Sequence, residues 1–215
     1  MQIFHLLQKE VISEWRNPFQ IGGLISFLAG VSFLVYFFSG NIEPKVWNLL
    51  YWLVFLFLSF FSAARVYEED NIKYRIYNLT LYSPMQLFLA KWIFLTLTLM
   101  VLGILLLFVY NILLPIEKGL HLSWLFLLTL VSLGFACLTS FTSFIASHGN
   151  SRQMLMVVIT LPLCFPLLGT AFACSAAILS GNDLNVILTK SYPIIAIDLF
   201  AFAFVLILLP LSWKN

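Results

Sequence analysis

Few residues of this 215-residue chain have the types and spacing that chemistry requires. The three histidines, His5, His121 and His148, are separated by long apolar runs, and the three cysteines form no C-x-x-C pair. The sequence G-x-x-x-x-G-K does not occur, so the chain lacks the phosphate-binding loop of an ATPase. Because a catalytic site needs several titratable groups that converge, this pattern predicts a protein that is not itself an enzyme.

The histidines and cysteines give little support for a metal or haem site. His121 lies near Trp124 in a short turn, where it is either a weak haem ligand or, more commonly, a polar residue at the membrane interface. Cys137, Cys164 and Cys174 fall inside apolar runs, where a thiol packs as a small apolar group. The sequence therefore predicts no metal cluster and no cofactor bound with certainty.

Two charged residues interrupt apolar runs. Asp198 lies about five residues, roughly 7–8 Å of helix, past Pro193, and an acid inside a membrane usually faces a partner, a cavity or the bundle interior. The competing interpretation is a structural acid that water reaches from the outer end of the span. Lys91 lies near the inner end of its run, where its long side chain can extend to the membrane surface.

The composition indicates that these residues belong to a chain of membrane-spanning helices. The chain is 62% hydrophobic and only 9% charged, whereas soluble domains carry roughly a quarter charged residues. A spanning helix needs about 20 apolar residues, and six runs qualify. They cover residues 20–38, 46–64, 85–114, 122–146, 154–179 and 193–212. The sequence predicts an all-α integral membrane protein, one six-span domain over residues 1–215, and excludes soluble enzymes and nucleic-acid-binding domains.

Residues 1–19 precede the first span and predict an amphipathic helix in the membrane interface. Apolar residues recur there at steps of three and four, which places them on one helical face. These residues are Ile3, Phe4, Leu7, Val11 and Trp15. A solvated leader is the alternative.

Lysine and arginine are unevenly divided between the two sides of the predicted spans. Seven lie on the side of the N-terminus, at Lys9, Arg16, Arg65, Lys73, Arg75, Arg152 and Lys214, and three lie on the other, at Lys45, Lys118 and Lys190. Because short cytoplasmic loops are enriched in positive residues, we expect both termini in the cytoplasm.

The fifth apolar run contains two prolines four residues apart, Pro162 and Pro166. Each removes one helical hydrogen bond, so a kink or break is expected between them. The run is then either an ordinary kinked helix or a span divided into an inner half and a mobile or re-entrant outer half. Gly169, Ala173 and Ala177 follow as a row of small residues, which permits close helix approach.

The segment 65–84, between the second and third spans, is long, charged and aromatic. It holds four of the eight tyrosines and six of the twenty charged residues, namely Arg65, Glu68, Glu69, Asp70, Lys73 and Arg75. A short turn would suffice to join two antiparallel spans. The segment therefore predicts a cytoplasmic helix on which a soluble partner docks, and a helix that rests on the lipid surface is the alternative.

In their order and spacing these features resemble the ABC-2-type exporter permeases and, within them, the cytochrome c maturation protein B (haem exporter protein B) family. The residues that carry the resemblance are Glu10 with Arg16, residues 65–70, Ser83–Pro84 with Ala90–Lys91, and residues 161–168. The resemblance covers essentially the whole chain. One departure is Lys73–Tyr74, where family members often carry Asp-Gly.

The resemblance implies a membrane subunit of an ABC complex for cytochrome c biogenesis in a bacterial inner membrane. Its implied partners are a separate ATPase subunit, a sister haem-handling membrane subunit and a periplasmic haem chaperone, but no nucleic acid. The segment 65–84 would be the coupling helix, with contacts from Arg65, Tyr67, Glu68, Glu69, Asp70, Lys73 and Arg75. Haem would be a transported or handled ligand. The six tryptophans are scattered and form no haem motif, so we expect a subunit that transmits force.

Three other functions remain open from the sequence. One is a secondary transporter or channel in which Asp198 is the ion or proton site. Another is an ABC-2 permease that exports lipid or drug molecules. The third is an assembly scaffold without transport activity.

Overall fold

The computed structural model describes residues 2–16, 18–39, 42–68, 82–116, 122–146, 152–182 and 184–212. These ranges contain seven α-helices and no strand. The helices are α1 (Gln2–Arg16), α2 (Pro18–Ser39), α3 (Pro44–Glu68), α4 (Pro84–Leu113), α5 (Leu122–Ala146), α6 (Arg152–Leu179) and α7 (Leu184–Ser212). Helices α2 to α7 are each long and apolar enough to cross a membrane, which confirms the predicted all-α, six-span fold.

Helices α3 and α5 form the centre of the bundle. In each of them 67% of the spanning residues are buried, against 17% in α2. Helix α5 packs on α3, α4, α6 and α7, whereas α2 packs on α3 and α4 at the edge. Large apolar side chains of α2 such as Phe37 and Phe38 are exposed, which suits contact with lipid rather than water.

Helix α1 packs mainly on α4, with a smaller contact to α2. Its buried apolar residue is Leu6, whereas Phe4 and Val11 of the predicted stripe are exposed. The side chains of Ile3 and Trp15 lie outside the described part of α1. The helix is thus confirmed, with Leu6 on the face that packs on the bundle, and its position in a membrane interface stays a prediction.

Helix α7 begins at Leu184, nine residues before the predicted start of the sixth span at Pro193. The turn before it is short because Gly181, at a φ of 70°, ends α6. Its N–H donates to the carbonyl of Ile178, and the N–H of Asn182 donates to the carbonyl of Ala177. This Schellman arrangement favours glycine, and the predicted connection over residues 180–192 is therefore wrong.

Pro162 and Pro166 lie inside α6, which runs without interruption from Arg152 to Leu179. This agrees with the first of the two interpretations, a single helix, and a role of the prolines in conformational change stays a prediction. Each proline removes one helical hydrogen bond. The remaining helical hydrogen bonds are kept, because backbone groups in lipid would find no water to bond instead. Both prolines are exposed, and a side chain at Gly169 would meet nothing within 4 Å. Gly169 therefore mediates no close helix contact within the described chain.

Candidate functional site

A buried ion pair joins α1 to α3. Arg65 lies three residues before the end of α3, and its guanidinium pairs with the carboxylate of Glu14 on α1. The two side chains are only 9% and 17% exposed. Separating such a pair leaves an uncompensated buried charge, so it holds the two helices together. Arg65 was predicted to belong to the docking loop, but it is a buried residue of α3.

A second contact joins the same end of α3 to α4. The ammonium of Lys91 donates a hydrogen bond of 2.9 Å to the carbonyl of Val66, and Lys91 is 6% exposed. Val66 lies in the last turn of α3, where carbonyls lack helical partners and the helix dipole attracts a cation. The long side chain of Lys91 thus ends at a buried carbonyl, and its extension to the membrane surface stays a prediction. We call Glu14, Arg65, Val66 and Lys91 the α3 junction.

The start of α4 is fixed by a capping box. The N–H of Gln86 donates to the hydroxyl of Ser83, and the N–H of Ser83 donates to the side-chain oxygen of Gln86 at 3.1 Å. Pro84 occupies the first turn, where it costs no hydrogen bond. The end of α3 and the start of α4 are thus both anchored.

The segment between these two anchors lies almost entirely outside the described residues. It includes the predicted docking residues Glu69, Asp70, Lys73 and Arg75. Tyr67 and Glu68 are placed as the last residues of α3, so the helix extends four residues past the predicted span. Their docking roles remain predictions.

A groove of about 270 Å³ opens beside the α3 junction. Apolar residues of α1, α2 and α4 line it, with Arg65 and Glu14 also in its wall. Its α4 wall runs from Phe94 to Leu105, roughly 16 Å of helix. Its shape and lining suit an apolar chain better than a polar solute.

Asp198 lies at the midpoint of α7, 14 residues from both Leu184 and Ser212. This distance corresponds to roughly 21 Å of helix on either side. Its two carboxylate oxygens are buried and have no hydrogen-bond partner in the part of the chain that the structure describes. The predicted location near the outer end of the span is therefore wrong, and the reason is the earlier start of α7.

The carboxyl group of Asp198 is held where three helices meet. A methyl group built on Gly134 of α5 would overlap its Oδ1 atom and would lie 2.8 Å from Cδ2 of Leu167 on α6. Cys137, one turn further along α5, is close enough to interact electrostatically with Asp198. We call Gly134, Cys137, Leu167 and Asp198 the Asp198 site.

An aromatic cluster fills the end of the bundle opposite the α3 junction. Its members come from α3, α4 and α5, with neighbouring ring centroids 5.2–6.3 Å apart, and are Trp47, Tyr51, Trp52, Phe55, Tyr110, Trp124 and Phe135. The indole N–H of Trp47 donates to the carbonyl of Leu114, and the hydroxyl of Tyr51 donates to that of Gly103. Close packing and these bonds indicate a structural cluster. His121, the suggested haem ligand, lies outside the described residues.

The sequence analysis missed a buried polar network between α3 and α6. The indole N–H of Trp52 donates to the hydroxyl of Ser175 at 2.8 Å, and that hydroxyl in turn donates to the side-chain oxygen of Asn48 at 2.7 Å. The amide of Asn48 also donates to the carbonyl of Phe172 at 3.1 Å. The sequence signal for this network is the presence of isolated polar residues within apolar runs, because each of them needs a partner in the bundle.

A second missed feature is a set of buried hydroxyls on α5. Thr142 bonds to Thr160 of α6 at 2.5 Å, which joins the two helices. Ser132, Ser140 and Ser143 are also buried, and their hydroxyls have no partner within the described ranges. The sequence L-T-S-F-T-S over residues 138–143 was the signal.

The α3 junction and the Asp198 site are thus the two candidate functional features. Across the described ranges, no three His, Cys, Asp or Glu residues are grouped so that they could hold a metal ion. Comparison with known proteins identifies no matching family model, curated protein or solved structure.

Proposed function

We propose that this chain is the membrane subunit of an ABC exporter that serves cytochrome c biogenesis in a bacterial inner membrane. The chain has no catalytic role in this proposal, and a separate ATPase subunit supplies the energy. The complex either exports haem or drives the release of a haem chaperone. The resemblance of residues 65–70, 83–91 and 161–168 to the cytochrome c maturation protein B family supports this assignment.

The observation that carries the proposal is the α3 junction. The consecutive residues Arg65 and Val66 connect the end of α3 to different helices, α1 through Glu14 and α4 through Lys91. A force applied to residues 69–81 would reach three helices together, because the end of α3 is tied to both neighbours. A frayed helix end would absorb the same force locally.

The capping box at Ser83 supports the same mechanism from the other side of the segment. It fixes the first turn of α4, so a push on the segment acts on a formed helix. When the ATPase dimer closes, residues 69–81 would tilt α3 and α4 relative to the rest of the bundle. The orientation this requires, with both termini cytoplasmic, follows from the distribution of lysine and arginine.

Purification of the chain in mild detergent, followed by identification of the copurifying proteins, tests the proposal. We expect to recover a P-loop ATPase and a haem-handling membrane protein. The amounts of these two proteins that copurify should change when haem is added. An ATPase recovered without any haem-handling protein would favour a lipid or drug exporter instead. Transport by the purified chain alone would favour a secondary transporter. Either of these two results would reject the proposed function.

A further inference from the structure

We propose that the carboxyl group of Asp198 is a proton-binding site in the middle of the membrane. In the packed arrangement of α5, α6 and α7 the carboxyl carries the proton, and loss of that proton separates α7 from α5. The inference is independent of the proposed function, because it rests on the Asp198 site alone.

The Asp198 site lies deep in the membrane-spanning part of α7. Asp198 is 14 residues from each end of α7, roughly 21 Å of helix, and the apolar core of a bilayer is about 30 Å thick. The carboxyl group is therefore near the bilayer centre when α7 spans it. An ionised acid at this depth is costly and needs a partner or water.

The described residues provide no such partner. Both carboxylate oxygens are buried without a hydrogen-bond donor. From α5 the thiol of Cys137 is the titratable group close enough to interact with the carboxyl, and from α6 the apolar side chain of Leu167 borders the same point on Gly134. From α4 the contact to α7 is Trp92 against Phe202, and the ammonium of Lys91 is bound to the end of α3.

The Asp198 site suits a proton better than a metal ion. A hard cation such as Ca²⁺ takes six or more oxygen ligands, and Mg²⁺ requires octahedral coordination. The Asp198 site offers one carboxyl group beside a glycine, a thiol and a leucine. A proton needs only the carboxyl itself, and a neutral carboxyl can then donate to a backbone carbonyl, whose second lone pair is free even within a helix.

Ionisation of Asp198 would change the packing of α5 and α7. Gly134 allows the carboxyl to lie directly on α5, with no side chain between them. Once ionised, the carboxylate must be hydrated or paired, and neither is possible while α5 and α7 remain in this contact. Ionisation therefore favours an arrangement in which water enters between the two helices and accepts the proton.

Isotope-edited infrared spectroscopy of the whole chain in lipid vesicles tests the proposal. The chain has only three aspartates, Asp70, Asp183 and Asp198. With Asp70→Asn and Asp183→Asn, cell-free synthesis with ¹³C-carboxyl aspartate labels Asp198 alone and leaves the site unaltered. We expect the C=O stretching band of a protonated acid at neutral pH, converting to carboxylate bands as the pH is raised.

The opposite results are equally clear. A spectrum at neutral pH that contains only carboxylate bands from Asp198 would overturn the proposal. Bands that respond to sodium concentration but not to pH would overturn it in favour of a metal-ion site. As a matched control, adding Asp198→Asn to the same labelled chain should remove the band.

Discussion

The carboxyl group of Asp198 on α7 occupies the volume that a side chain at Gly134 on α5 would fill. Each residue therefore limits what the other position can hold. Glycine at position 134 permits a polar group to lie against the backbone of a central, buried helix. The same contact fixes the separation of α5 and α7 at the middle of the bundle.

Gly134→Ala should destabilise the bundle, because the new methyl group overlaps Asp198 and crowds Leu167. Overpacking of this kind costs about 1–3 kcal/mol, measurable as a loss of thermal stability in detergent. The cost should shrink when Asp198→Ala is added, because part of the overlap is removed.

Gly169→Ala on α6 is the matched control for this change. It adds the same methyl group where nothing lies within 4 Å, so only helix propensity acts, with a gain of up to about 1 kcal/mol. Equal losses for Gly134→Ala and Gly169→Ala would contradict the packing argument.

Arg65→Gln should destabilise the chain by about 3 kcal/mol, because it leaves the largely buried carboxylate of Glu14 unpaired. Glu14→Gln should do the same, and a double-mutant cycle should show that the two losses are not additive. Arg16→Gln is the control, because Arg16 is exposed on α1 and its loss should change stability by less than about 0.5 kcal/mol. Additive losses at positions 14 and 65 would argue against the ion pair.

Lys91→Met should fray the last turn of α3 while leaving the rest of the bundle intact. It keeps most of the apolar stem but removes the donor to the carbonyl of Val66, a charge-assisted bond with an expected contribution of about 1.5–3 kcal/mol. Hydrogen exchange should become faster at residues 63–68. Lys190→Met, at an exposed position of α7, should leave that exchange unchanged, and unchanged protection in both variants would remove Lys91 from the α3 junction.

Much of the fold could be predicted because lipid imposes a length and a composition on every span. The fourth span agrees residue for residue with α5, since polar residues precede Leu122 and follow Ala146 in the sequence. The start of α7 could not be found in this way. Residues 184–192 are polar enough to resemble a connection, and Pro193 looked like a helix start although a proline can also lie within a helix.

The candidate sites were less predictable, because they depend on contacts between distant parts of the chain. Asp198 and Lys91 were recognised as unusual from their surroundings alone. Their partners, Gly134 and Val66, are ordinary residues in apolar runs, and only the packing of helices selects them. The same holds for Arg65, whose charge predicted a docking role but whose position near Glu14 makes it part of the interior.

Glu69→Lys combined with Asp70→Lys tests whether the segment after α3 docks on an ATPase. Reversal of two adjacent charges should repel a partner that recognises them, since like charges placed together suppress association. We expect at least a tenfold loss of ATPase copurification and a parallel loss of c-type cytochromes, with normal amounts of the chain in the membrane. Glu43→Lys, an exposed charge reversal before α3, should leave both readouts unchanged. Normal copurification and normal cytochrome levels in the double variant would remove the coupling role, whereas the α3 junction, which contains neither residue, would be unaffected by that result.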